Sequence, residues 1–146
     1  MVWGWKQMAG NVHELRPKAA DSEKITINLG YVDLGRIDLL VQEGFYSNRT
    51  DLIRTAIRNQ LATHTDELSR SLERKTLELG LRDIGAADLE AAHAAGETLT
   101  LSVVGLLRIA PDVTPELARA TIGSITVLGA LQASPELKAA LADRIK

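Results

Sequence analysis

Residues 24–29 read Lys24-Ile25-Thr26-Ile27-Asn28-Leu29 and alternate strictly between polar and apolar side chains. Because successive side chains of a strand point to opposite faces, this alternation predicts a short β-strand with one apolar face. A lone strand would leave its backbone donors and acceptors unpaired and its apolar face uncovered. We therefore expect it to pair with the same strand of a second copy, in an antiparallel ribbon that makes the protein an obligate homodimer. The core of that ribbon would be Ile25, Ile27 and Leu29.

Two helices are predicted after the strand. Gly30 ends the strand, and Asp33 is the expected N-cap of the first helix. Its apolar positions follow one helical face: Leu34, Ile37, Leu40 and Val41. Gly44 is expected to end this helix, and Ser47 to cap the next one. The second apolar stripe consists of Leu52, Ile53, Ala56, Ile57 and Leu61.

Residues 24–63 resemble the ribbon-helix-helix DNA-binding proteins of the Arc, MetJ and CopG type. Two segments carry the resemblance: the alternating strand, and the turn with the start of the second helix, Gly44-Phe45-Tyr46-Ser47-Asn48-Arg49-Thr50-Asp51-Leu52-Ile53-Arg54. The resemblance implies a homodimer that binds double-stranded DNA, with Lys24, Thr26 and Asn28 contacting base edges in the major groove. Lysine can donate to guanine, asparagine can pair with adenine, and threonine offers a hydroxyl and a methyl group. The alternative for these three residues is the solvated polar face of a surface strand.

The start of the second predicted helix is a candidate phosphate site. Its backbone N–H groups are free, and the positive end of the helix dipole lies there. Ser47, Asn48 and Arg49 are placed to contact phosphate, which would position the ribbon without reading sequence. Ser47 could instead serve as a cap alone. Arg54 and Arg58 are interpreted first as a solvated helix face and only second as DNA contacts.

Charge and composition limit the functional classes. The net charge is −2, and residues 24–65 carry five basic and four acidic side chains, a sparse complement for DNA. There is no cysteine, and the three histidines have no metal-ligand spacing, so neither a metal site nor a cofactor is expected. No nucleophile motif or phosphate loop occurs, so no catalytic residue is assigned and an enzyme is disfavoured. No signal peptide or membrane span is expected, which favours a cytoplasmic, nucleoid-associated protein.

The C-terminal part contains an internal repeat. Val103-Val104-Gly105-Leu106-Leu107 corresponds to Val127-Leu128-Gly129-Ala130-Leu131, and Thr114-Pro115-Glu116-Leu117 echoes Ser134-Pro135-Glu136-Leu137. Each unit reads as a strand followed by a short helix that starts at Thr-Pro or Ser-Pro, which predicts parallel strands. Residues 84–95 are interpreted as a degenerate earlier unit that keeps only its helix. The repeat would serve oligomerisation or partner binding, or would close on the preceding helices of its own chain.

The predicted fold is α+β with four segments. These are a flexible arm (1–23), the ribbon-helix-helix domain (24–65), a helical connector (66–96) and the strand-helix repeat module (97–146). Trp3 and Trp5 in the arm are candidate anchors for a protein partner. The favoured function is a sequence-specific transcriptional regulator, most simply a repressor. The alternatives are an antitoxin, or an assembly protein that uses the ribbon only to dimerise.

Overall fold

The computed structural model describes residues 22–146, which are α+β, with six helices and one three-stranded parallel sheet. The chain divides into two compact units, one that ends at Asn59 and one that begins at Gln60. The predicted arm with Trp3 and Trp5 lies outside the described residues. In chain order the elements are α1 (Tyr31–Gln42), α2 (Arg49–Ala62), α3 (Thr65–Lys75), β1 (Glu78–Ile84), α4 (Ala86–Ala94), β2 (Leu99–Ile109), α5 (Pro115–Thr121), β3 (Ile122–Gln132) and α6 (Pro135–Ala140).

Helix α1 begins earlier than its sequence predicts. Gly30, in an extended conformation, is the N-cap, so the prediction of Asp33 as the cap is wrong. Asp33 lies in the first turn instead, where a carboxylate favours the positive end of the helix dipole. The predicted end is confirmed, because Gly44 follows the last cap residue with a φ of +88°, and its N–H donates to the carbonyl of Val41.

Helix α2 is capped by Asn48 rather than by Ser47. The Asn48 Oδ1 accepts a hydrogen bond of 2.8 Å from the backbone N–H of Asp51, three residues further on. Ser47 lies one position before the cap, and its N–H donates to the Asp51 Oδ2 at 2.9 Å. The two bonds together form a reciprocal cap, in which the side-chain amide oxygen of Asn48 has the N-cap role predicted for Ser47.

The second unit contains the sheet, with strand order β1-β2-β3 and all neighbours parallel. The repeat seen in sequence coincides with the pairing register, because Val103 pairs with Val127 and Gly105 with Gly129. The predicted helical connector is wrong over residues 78–84, which form β1, so the first repeat keeps its strand as well as its helix. In β1, Glu78 and Arg82 pair with the core residues Val103 and Leu107. Because both side chains are charged, the sequence shows no apolar alternation on the core side of this strand. Pairing with β2, which follows some 25 residues later, makes this segment a strand.

Helices α4, α5 and α6 cover one face of the sheet. The core is aliphatic, as the low aromatic content requires, and its fully buried members include Leu89, Leu101, Leu107, Ile122, Ile125, Leu137 and Leu141. The predicted helix starts are confirmed. The side-chain oxygens of Thr114 and Ser134 accept the N–H groups of Leu117 and Leu137, each at 3.2 Å. Each proline then occupies the first helical turn.

Three glycines lie side by side across the sheet, and we call Gly80, Gly105 and Gly129 the glycine row. Their φ angles are +130°, +138° and +124°, values that side-chain-bearing residues rarely adopt. A Cβ on Gly105 would lie 2.1 Å from the carbonyl oxygen of Gly80, and one on Gly129 would lie 2.1 Å from that of Gly105. β2 and β3 therefore need glycine both for their own backbone and for the close approach of the preceding strand, whereas β1 needs it for its backbone alone.

Candidate nucleic-acid interface

In its described residues, from 22 to 59, the first unit has helices but no buried core. Neither α1 nor α2 contains a buried residue. Residues 24–29 have no regular secondary structure and are exposed, and they pair with no strand in the described part of the chain. The three predicted ribbon-core side chains, Ile25, Ile27 and Leu29, are 73%, 54% and 37% exposed. In the described part of the chain, these apolar side chains stay exposed beside two helices that contain no buried residue. No surface there covers them.

The segment of residues 24–29 borders the apolar side of α2. A groove of about 470 Å³ is lined by its residues Lys24, Ile25 and Ile27 and, on the helix, by Ile53 and Ile57. Apolar side chains of the strand and of the second helix thus face one open space. This groove is one place where the described residues leave apolar surface uncovered, and polar side chains such as Thr50 and Arg54 line it as well.

The start of α2 brings several of the predicted phosphate ligands together. Ser47 and Asn48 line a shallow pocket of about 340 Å³ with Thr50, Arg54 and Arg58. The N–H groups of a first helical turn have no acceptor within the helix, so Thr50, which lines the pocket, has a backbone donor without a helical partner. The Asp51 carboxylate also lines the pocket and accepts the Ser47 N–H, so an incoming phosphate meets one acidic neighbour.

Arg54 and Arg58 belong to this pocket, although the sequence analysis favoured a solvated face for them. The signal was present, because residues at positions 50, 54 and 58 repeat at a four-residue spacing that aligns them along one side of a helix. Their guanidinium groups supply positive charge beside the cap.

Arg49 points to a different partner. Its Nε and Nη2 donate to the two carboxylate oxygens of Asp38 at 2.7 and 2.8 Å, a bidentate pair that joins α1 to the start of α2. Hydrogen bonding by Arg49 lowers the pKa of the Asp38 carboxyl, and the same bond raises the pKa of Arg49. The pair links the two helices, and a phosphate contact by Arg49 stays a prediction.

This ion pair makes the helical unit sensitive to acid. Because the folded pKa of Asp38 is lowered, its contribution to stability is present at neutral pH and is lost as the pH falls through that lowered value. The effect is expected to be small, since both side chains are about half exposed. Urea midpoints at pH 7 and pH 3 would measure it. Asp38→Asn and Arg49→Met should each reduce the difference between the two midpoints, and the double variant should reduce it no further. Fully additive losses would mean that the two side chains act separately.

The comparison with known families matches residues 20–138 to the ribbon-helix-helix transcriptional regulator family. This chain belongs to that family. The match runs through the ribbon segment and both helices and continues over the sheet into α6, so the ribbon-helix-helix regulator model includes the C-terminal unit. No curated protein and no solved structure matches the chain significantly.

Two further properties bear on the function of this ribbon-helix-helix protein. Among residues 22–146, no group of three or more histidine, cysteine, aspartate or glutamate side chains is arranged to hold a metal ion. In the same part of the chain, every helix is too short or too polar to cross a lipid bilayer.

Proposed function

We propose that the protein is a homodimeric, sequence-specific DNA-binding regulator that acts as a repressor on the nucleoid in the cytoplasm. The observation that carries the proposal is the coreless first unit, whose apolar strand and helix faces are open in the single chain. A second copy related by a two-fold axis would cover the same surface on both chains at once. Family membership supports this arrangement.

In the proposed dimer, residues 24–29 of the two copies pair antiparallel. Ile25, Ile27 and Leu29 then face the helices, and Lys24, Thr26 and Asn28 face outward. A two-stranded ribbon fits the DNA major groove, so the dimer would present two copies of each outward side chain to the base edges.

The pocket at the start of α2 would hold the phosphate backbone beside the ribbon. Ser47 and Asn48 would contribute from the cap, and Arg54 and Arg58 would contribute charge. These contacts fix the position of the ribbon in the groove and add affinity for any sequence.

The charge balance predicts weak binding by one dimer. Residues 24–65 carry five basic and four acidic side chains, so few phosphates are neutralised per dimer and the affinity falls with salt. Adjacent half-sites occupied by several dimers would compensate through multivalency. We therefore expect operators with repeated half-sites.

The proposal is tested by selecting bound fragments from the source genome at about 50 and 200 mM salt. We expect a few enriched sites with repeated half-sites, and loss of that enrichment in the variants Thr26→Ala and Asn28→Ala. Folded protein that enriches nothing at either salt would contradict the DNA-binding function and favour an assembly role.

Affinity measurements separate base reading from phosphate contact. Asn28→Ala and Thr26→Ala should each lose about 1–3 kcal/mol on the selected site and little on random DNA. Arg54→Ala and Arg58→Ala should weaken both DNAs alike and lower the salt slope by up to about 2 per dimer, since each dimer carries two copies. The matched control is Arg36→Ala, which removes the same charge from α1. Equal losses from all three arginine variants would show that only net charge matters.

The antitoxin alternative expects a C-terminal half that orders only around a toxin. Here the C-terminal unit has a packed aliphatic core within a single chain, which favours the regulator.

A further inference from the structure

The sheet has a second face, opposite its helices, on which apolar side chains form two rows across the strands. One row is Leu79, Val104 and Leu128, and the next is Leu81, Leu106 and Ala130. The exposed leucines lie on the two edge strands. Leu79 is 74% and Leu128 is 57% exposed, whereas Leu106 on the central strand is only 8% exposed. The exposed apolar surface on this face is therefore greatest on the two edge strands, β1 and β3.

Both edges of the sheet are open in the described residues. No strand lies outside β1. Beside β3, the C-terminal residues form a single bridge, Ile125 to Ile145, and the Arg144 Nη1 donates to the carbonyl oxygen of Ile122. Beyond that bridge, residues 127–132 present an edge on which a further parallel strand can form hydrogen bonds. Parallel sheets are normally covered, and open edges are sites of association.

The glycine row specifies which strand fits the β3 edge. The oxygen of Gly80 meets Gly105, and that of Gly105 meets Gly129, so each added strand needs glycine at this position. Gly80 has the same positive φ, and the space where its Cβ would lie is empty. The β1 edge of a second copy therefore offers the room that the Gly129 oxygen requires.

The helix layer has a matching gap. A groove of about 500 Å³ runs beside β1 and is lined by Ile84, by the α4 alanines Ala87, Ala91 and Ala92, and by charged side chains at its rim that include Arg82, Asp83 and Asp88. Within one chain α5 contacts α4, and α6 contacts α5. The next position in this series, against the small side chains of α4, is open to the α6 of another copy.

We propose that the C-terminal unit associates head to tail, with the β1 edge of one copy added to the β3 edge of the next. Residues 78–83 then lie opposite residues 127–132, with Gly80 beside the partner copy's Gly129 and Leu79 beside its Leu128. Because the two sides of the joint differ, each added copy leaves a β3 edge or a β1 edge for the next copy, and more than two copies can associate in a row. The joint uses neither the ribbon nor the α2 pocket, so it stands apart from DNA binding.

A cysteine pair tests the joint, because the chain has no cysteine of its own. Within one copy, positions 79 and 128 are two strand spacings apart, about 9.5 Å, which is too far for a disulfide. Across the joint they are one spacing apart, about 4.8 Å, which a disulfide can span. Oxidised Leu79→Cys/Leu128→Cys full-length protein, without DNA, should give a ladder of trimers and longer species that collapses on reduction.

Mixing the two single variants identifies the geometry. Leu79→Cys and Leu128→Cys chains together should give disulfides between positions 79 and 128, as identified by peptide mass spectrometry. Products joined only as 79 to 79 or 128 to 128 would overturn the head-to-tail joint, and so would the absence of any cross-link. Neither result bears on the ribbon, so a failure here is distinguishable from a failure of DNA binding.

A charge at the edge should disrupt the joint without disturbing the fold. Leu79→Lys places a charge at a position that is largely exposed in the single chain and covered in the row. In sedimentation velocity, the association constant obtained from the growth of mass with concentration should fall about tenfold or more. The matched control, Leu68→Lys, changes a leucine of α3 that is 46% exposed and lies outside the joint, and it should associate like wild type. Equal behaviour of the two variants would overturn the proposal.

Discussion

Ile27→Asp should dissociate the proposed ribbon dimer and abolish DNA binding. In the ribbon, Ile27 would face its own counterpart in the second copy, so the substitution buries two unpaired carboxylates at the two-fold axis. We expect a loss of about 4 kcal/mol or more, which weakens dimerisation by at least about three orders of magnitude. Sedimentation velocity in the Leu79→Lys background measures ribbon association alone, and DNA retardation measures its consequence.

The matched control places the same charge one position earlier. Thr26→Asp changes the outward face of the strand, so the dimer should persist while DNA binding is lost through repulsion from phosphate. An Ile27→Asp protein that keeps its dimer would show that residues 24–29 are not the dimer core. Dissociation of both variants would show that the segment does not alternate between a buried and an exposed face.

Gly105→Ala should destabilise the sheet unit strongly. The new Cβ would lie 2.1 Å from the Gly80 carbonyl oxygen, and the φ of +138° is unfavourable for alanine. The backbone term alone costs about 1–3 kcal/mol, and relieving the clash requires β1 and β2 to move apart. We expect a total loss of about 4 kcal/mol and a fall in the unfolding temperature of more than about 10 °C.

Gly80→Ala separates the two causes. Gly80 has nearly the same φ, but its Cβ would meet nothing within 4 Å in its own chain. Gly80→Ala should lose only the stability associated with its unfavourable φ. Its unfolding temperature, followed by circular dichroism, should therefore lie well above that of Gly105→Ala. Amide exchange should locate the destabilisation caused by Gly105→Ala in β2. Equal melting temperatures would mean that the close approach of the strands contributes nothing.

The two units place different demands on association. The helices of the first unit contain no buried residue, so the proposed second copy would supply their core, whereas the second unit is packed within one chain. A two-fold ribbon joint and a head-to-tail sheet joint on the same chain would link dimers into rows. Such rows would concentrate weakly binding ribbons on DNA with repeated half-sites.

Periodic signals in the sequence predicted much of this fold. The four-residue and two-residue spacings located α1, α2, β2 and β3, the Thr-Pro and Ser-Pro pairs located α5 and α6, and the 24-residue repeat anticipated the parallel pairing. These signals are local, or repeat along the chain, and each reports which side chains share a face. The resemblance of residues 24–63 to the ribbon-helix-helix family is confirmed by the family match over residues 20–138.

Contacts between distant residues were decided only in the tertiary structure. β1 was missed because its core-facing register positions include Glu78 and Arg82, and its pairing with β2 makes it a strand. The position of Arg49 predicted a phosphate contact, which stays a prediction, and only the structure shows that its Nε and Nη2 donate to Asp38, eleven residues away. The need for glycine at positions 105 and 129 also comes from contacts between residues that are distant in sequence. Sequence showed that glycine recurs, but only the register shows that each carbonyl lies where the next Cβ would be.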